Sequence, residues 1–161
     1  MYFASTNVNV LDSIRELLTG AGVPFVEKQH EPTFTSEESA TARGEPLHFG
    51  GKALLLKTDE VFRLFVVPAD RKLDSAAVKR ELGVKKTRFA TADELRDLSG
   101  LVPGSVPPFG PPILPFELFV DAAIRENPRI AFNAGSLTDS IILSVADYLR
   151  VAKPRVFAFS V

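Results

Sequence analysis

Residues 103–115, PGSVPPFGPPILP, constrain the fold more than any other stretch of this chain. Six of the 12 prolines fall there, together with Gly104 and Gly110. Proline lacks an amide hydrogen and has a fixed φ, so neither a helix interior nor a central strand accommodates that density. The fold must carry a stiff, irregular segment and build regular structure on both sides of it. Glycine in such a segment lets bare backbone approach a ligand closely. The N–H groups at 104–106, in Gly104-Ser105-Val106-Pro107-Pro108, are candidates to face a carbonyl or a developing oxyanion. The alternative is a purely structural connection.

On the N-terminal side, Leu11, Ile14, Leu17 and Leu18 fall at helical spacing and predict a helix from Val10 to Thr19, ended by Gly20 and Gly22. Residues 24–29 alternate weakly and read as a strand. Thr35 and Glu38 have the spacing of a capping box, opening a short helix that stops near Gly44. Two apolar runs, 52–57 and 61–67, are separated by Thr58-Asp59-Glu60 and predict a hairpin. A helix over 75–82, a short strand over 87–90 and a second capping box at Thr91 and Glu94 follow. Beyond the proline segment, 116–121, 129–135 and 139–143 read as strands. Ser144 and Asp147 open a last helix, which Pro154 breaks ahead of a closing strand. Short helices between hairpins predict an α+β fold: a mixed, curved sheet with short helices packed around it. At 161 residues, one domain spanning 1–161 is expected.

Composition removes several chemistries. With no cysteine there is no disulfide scaffold, thiolate nucleophile, zinc ribbon or iron–sulfur site. Two histidines, His30 and His48, supply a metal site or a serine triad thinly. No metal and no cofactor are expected. Ser36, Ser105 and Ser136 are conceivable nucleophiles, but none lies in a G-x-S-x-G elbow. The net charge is −1, so overall charge does not hold the chain to nucleic acid. Lys79, Arg80, Lys85, Lys86 and Arg88, helped by Arg71 and Lys72, form a basic cluster that suits phosphates. From charge alone a solvated helix face is the plainer reading. The first residues, MYFASTNVNVLDS, show no basic n-region, and no apolar run has membrane-spanning length. A cytoplasmic protein without membrane contact is the expectation.

Three further features invite chemistry. Lys52 shares strand parity with Leu54 and Leu56, which puts its amine at the rim of an inward face. A lysine snorkelling from a strand end is the alternative, and the residues alone favour it. Asn133, Gly135 and Ser136 end a strand, where polar groups line pockets or simply form a turn. His30, ahead of Glu31-Pro32, reads as a structural histidine.

The strings FTSEESATARG (34–44), GGKALLL (50–56), GLVPGSVPPFG (100–110) and FNAGSLTDSI (132–141) resemble, in order and spacing, the YbaK and prolyl-tRNA-synthetase-associated editing domain family. The resemblance covers about residues 25–157. It implies a free-standing trans-editing hydrolase that cleaves the ester of a mischarged aminoacyl-tRNA, such as alanine on tRNA for proline. It further implies that Lys52 holds the aminoacylated 3′ end as the catalytic residue. Thr35, Ser36, Gly104, Ser105, Val106, Pro107, Pro108, Asn133, Gly135 and Ser136 would bind substrate. Water and a ribose hydroxyl would carry the chemistry, with no metal and no covalent intermediate. His30 matches a position where the family often carries histidine. The implied partners are aminoacylated tRNA and a prolyl-tRNA synthetase, not DNA, with the chain a monomer. A non-catalytic tRNA- or synthetase-binding module of the same fold is the competing expectation, and a hydrolase of another small ester a third.

Overall fold

The computed structural model describes residues 2–161, beginning with helix α1 (Tyr2–Gly20). The helix starts eight residues ahead of the Val10 that apolar spacing predicts. From Val10 onward the helix carries the buried stripe of Val10, Ile14 and Leu18. Extending a nucleated helix costs little, so a helix can begin ahead of the turns whose apolar spacing announces it. Then follow β1 (Val26–Gln29), α2 (Ser36–Arg43), β2 (Gly51–Thr58), β3 (Val61–Pro68), α3 (Ser75–Leu82), β4 (Thr87–Phe89) and α4 (Ala92–Ser99). Beyond the proline segment come β5 (Leu118–Asp121), β6 (Arg129–Asn133), β7 (Asp139–Ser144), α5 (Val145–Ala152) and β8 (Arg155–Phe157). Two short 3-10 segments, Leu47–Phe49 and Ala122–Glu126, have no counterpart in the sequence reading.

The strands form two sheets. One is mixed, in the order β4-β2-β3-β5-β8, and the other is antiparallel, in the order β1-β7-β6. The expected hairpin pairs from Gly51 opposite Pro68 to Thr58 opposite Val61. β5 and β8 join it in parallel, since each is reached by a long crossover rather than a tight turn. The main core is filled by Ile14 and Leu18 of α1, Leu64 and Val66 of β3, Phe132 of β6 and Tyr148 of α5. A second cluster on the other face of the mixed sheet stacks Phe65 on Phe119 at 5.0 Å, with Phe159 edge-on. Each fully buried aromatic of this kind contributes about 1.5–3 kcal/mol.

Beside the shared core, a backbone bridge joins the two sheets next to the site. Gly50 bridges to Ala131 in parallel, just before β2 begins. A Cβ on Gly51 would lie 2.6 Å from Ile130 Cδ1, and one on Gly50 would lie 2.9 Å from Ala69 Cβ. The first contact crosses between the sheets, where glycine makes room for the Ile130 side chain of β6; the second lies within the mixed sheet, beside the end of β3.

The proline segment takes neither helix nor strand, as its composition requires. Packing holds it instead. Phe109 is buried edge-on against Phe132 and Tyr148. The Tyr148 hydroxyl donates to the Pro108 carbonyl at 2.6 Å, and burial pushes its pKa well above the usual phenol value. Asn133 Nδ2 donates to the Gly104 carbonyl at 2.8 Å, and the Gly135 N–H to the Ser105 carbonyl at 2.9 Å.

Candidate active site

The cavity of about 230 Å³ opens where α2, the start of β2 and the proline segment converge on the end of β6. α2 reaches it through strong local signals. The Thr35 hydroxyl accepts from the Glu38 N–H, and the Glu38 carboxylate accepts from the N–H groups of Phe34 and Thr35. Gly44 closes the helix at φ 69°, in the left-handed region. The approach segment and the helix thus present Thr33, Phe34, Thr35, Ser36, Ser39 and Arg43 to the cavity. Phe34 is 75% exposed at its mouth.

Among the residues expected from sequence, Thr35, Ser36, Lys52, Gly104, Val106 and Asn133 line this cavity together. Lys52 is half-buried, with Nζ donating to the Arg71 carbonyl at 3.2 Å, and Leu54 beside it lines the same wall. Gly104 adopts φ 87° and offers its backbone at the wall. The N–H groups of Gly104 and Val106 donate to no protein acceptor among the described residues.

The remaining expected residues lie elsewhere. Ser105 is buried under the loop, its hydroxyl donating to the Val102 carbonyl at 2.8 Å. Its N–H is also committed to that carbonyl, so the run of free amides expected at 104–106 is interrupted. Pro107, Pro108, Gly135 and Ser136 are not in the cavity wall. Gly135 anchors the loop, and the Ser136 hydroxyl accepts from the Thr138 N–H within its turn. The basic cluster is divided. Arg71 and Lys72 follow β3 near the cavity. Lys85 and Lys86 precede β4 at the far end of β2, about 20 Å away at the rise of a strand. Arg88 there is held in a two-pronged contact with Glu94.

Sequence reading missed Arg43, Thr33 and Ser39. Arg43 closes the last turn of α2, where a basic residue commonly faces water. Here it is 6% exposed. Nε donates to the Ser140 hydroxyl at 2.9 Å and Nη2 to Asn133 Oδ1 at 3.1 Å. Burial lowers its pKa to about 10, with Glu45 pulling the other way, so it stays charged at neutral pH. His30 completes this network. Its Nδ1 lies 2.9 Å from the Glu31 carbonyl, which only accepts, so Nδ1 carries the hydrogen. Nε2 lies 2.8 Å from the Ser140 hydroxyl, whose hydrogen also has Asn133 Oδ1 in reach at 3.2 Å. A line of contacts runs His30–Ser140–Arg43–Asn133–Gly104, from the surface to the proline loop.

Residues 30–151 match the family model described as the aminoacyl-tRNA editing domain. The chain belongs to that family. It is accordingly an aminoacyl-tRNA deacylase, an ester hydrolase, and not a binding module alone. The Multifunctional Ser/Thr-tRNA deacylase ProXp-y of Escherichia coli (strain K12) is 35% identical over 149 residues, covering 89% of this chain and 88% of that protein. The Prolyl-tRNA editing protein ProX of Acetoanaerobium sticklandii is 25% identical, over 78% of this chain and 79% of its own length. The Proline--tRNA ligase of Shouchella clausii is 34% identical over 68% of this chain, but only 19% of the ligase is covered. A crystal structure of a proposed trans-editing enzyme for prolyl tRNA synthetase superposes with a TM-score of 0.79 at 24% identity, over 94% of this chain and 97% of that one. The α+β editing-domain fold is thus established.

Proposed function

We propose that the cavity takes the aminoacyl end of a mischarged tRNA and that its preferred cargo is a small hydroxylated amino acid, serine or threonine. The polarity of the wall carries this reading: Thr33, Ser39, Arg43 and Asn133 together line a space of about 230 Å³. Sites for whole drug-sized ligands run to about 300–1,000 Å³, so an aminoacyl group suits this one while the tRNA stays outside. The relative named as a Ser/Thr-tRNA deacylase supports the choice. Alanine on tRNA for proline is the second reading, favoured by the relatives named for prolyl-tRNA editing and by the apolar wall of Ala53, Leu54 and Val106.

In this scheme water attacks the ester carbonyl carbon, the bond to the ribose oxygen breaks, and that oxygen leaves with a proton. The backbone at Gly104 and Val106 faces the carbonyl oxygen as negative charge develops on it. The Lys52 ammonium holds a phosphate or carbonyl oxygen of the terminal adenosine while its stem packs on the strand. Lys85 and Lys86 meet phosphates further along the tRNA, and a prolyl-tRNA synthetase supplies the misacylated product. The chain acts as one domain, as a monomer, in the cytoplasm. Such a second site is needed because a synthetic site discriminates small apolar differences by only about 1–3 kcal/mol.

The test is a panel of one tRNA acylated with serine, threonine, alanine, cysteine or proline, with ester loss followed in time. Seryl and threonyl esters are expected to be cleaved at least about tenfold faster than alanyl, a difference of roughly 1.4 kcal/mol at the transition state. Cleavage of alanyl ester fastest of all would replace the hydroxyl reading by the second one. No cleavage of any ester would end both.

A further inference from the structure

Arg43 has an unusual balance of partners. It is buried and charged, yet among the described residues no Asp or Glu forms an ion pair with it. Its Nε and Nη2 are engaged by Ser140 and Asn133, while Nη1 finds no protein acceptor among the described residues. A guanidinium can only donate. Beside it in the wall, Thr33 and Ser39 are 5% and 6% exposed, and their hydroxyls share one contact of 2.7 Å. Whichever hydroxyl donates, the other keeps a hydrogen with no protein acceptor among the described residues. The nearby acceptors are occupied: Asn133 Oδ1 by Arg43, and the Gly104 carbonyl by Asn133 Nδ2.

This corner of the cavity therefore offers donors in excess. A methyl group leaves them unmatched, and an α-ammonium is repelled by the guanidinium. An oxygen that accepts satisfies them. The amino acid then enters with its side chain toward Arg43 and its ammonium away from it.

We infer that Arg43, together with the Thr33–Ser39 hydroxyl pair, reads the side-chain oxygen of the aminoacyl group and selects serine and threonine over alanine. This rests on the reading of the cavity as an aminoacyl-ester site. A buried donor without an acceptor is costly, and a site built to bond a hydroxyl discriminates strongly against the analogue lacking it. His30 and Ser140 act as positioning residues, since they fix Nε and with it the direction of the guanidinium fork.

One tRNA acylated with either serine or alanine tests the assignment, with thermal unfolding of each variant as the folding control. Arg43→Lys keeps the charge but loses the fork. The serine-to-alanine ratio of kcat/KM should fall about 30-fold, the size of one charge-assisted hydrogen bond. Ser39→Ala should lower the same ratio about fivefold, the size of a neutral one. A ratio that stays constant while both rates fall together overturns the inference and makes Arg43 structural or equally useful to every ester. If Arg43→Lys does not fold, the Ser39→Ala ratio decides in the same way. Wild-type protein that cleaves neither ester refutes the parent reading instead.

Discussion

Helices α2 and α4 share their length, their start and their stop. Each has eight residues, opens on a threonine whose hydroxyl accepts from the N–H of a glutamate three positions on, and ends on a glycine in the left-handed region. What they bury separates them. α4 turns Leu95 into the core and leaves Arg96 paired with Asp93 at the surface. α2 turns Ser39, Ala40 and Arg43 inward. A polar inward face supplies little hydrophobic stabilisation, so the helix is held by hydrogen bonds to β6 and β7 instead. Capping signals say where a helix begins and ends. The polarity of its inner face says whether it serves the core or a site.

Strand β2 runs between the neighbourhoods of these two helices and carries a lysine at each end, which allows the sharpest test. Lys52→Ala should cut deacylation about a hundredfold or more, roughly 2.7 kcal/mol at the transition state, with little change in unfolding temperature. Lys57, opposite Arg88 and near Glu60, should be nearly neutral when replaced. Equal activities in the two variants on the best mischarged tRNA would erase the distinction between the ends. The caps offer a finer comparison. Thr35→Ala and Thr91→Ala should each lose about 1 kcal/mol of stability in denaturant titrations. Only the first should also slow ester hydrolysis, by about fivefold, because Thr35 lines the cavity. Parallel losses of activity in both would mean that α2 matters only through global stability.

The smallest effect belongs to α4 alone. The hydrogen bond from Arg88, with a further one from the Thr91 N–H, lowers the Glu94 pKa from 4.5 to about 2. A depressed carboxylate pKa stabilises the fold above the usual value, and the contribution is lost as pH falls toward 2. Unfolding midpoints measured between pH 5 and pH 2 should therefore drop less for Glu94→Gln than for wild type. Ester hydrolysis at neutral pH should not separate the two proteins. An identical acid dependence would show that the exposed contact with Arg88 contributes nothing.

The elements that depend on local chemistry were legible in the sequence. The hairpin, both capping boxes, the glycine stops and the irregular proline segment follow from residues a few positions apart. The gathering of Thr35, Lys52, Gly104 and Asn133 around one space came from resemblance, not from pattern. Arg43 was not legible, because its partners Asn133 and Ser140 are 90 and 97 positions away. Nothing near it in the chain separates a buried arginine from one facing solvent at a helix end. Ser105 misled for the opposite reason. It sits between two residues that line the cavity, yet its side chain and its amide both turn back to Val102.

The glycine seam at Gly50 and Gly51 bears on how substrate preference can change over time. The cavity has one jaw on each sheet, and the jaws join where Gly51 of β2 packs on the Ile130 side chain of β6. A caliper locked at that joint keeps its opening whatever is mounted on its faces. Residues of α2 can then be exchanged to suit a different amino acid without resetting the gauge. Descendants of one scaffold would diversify in chemical taste while conserving the size class of what they accept.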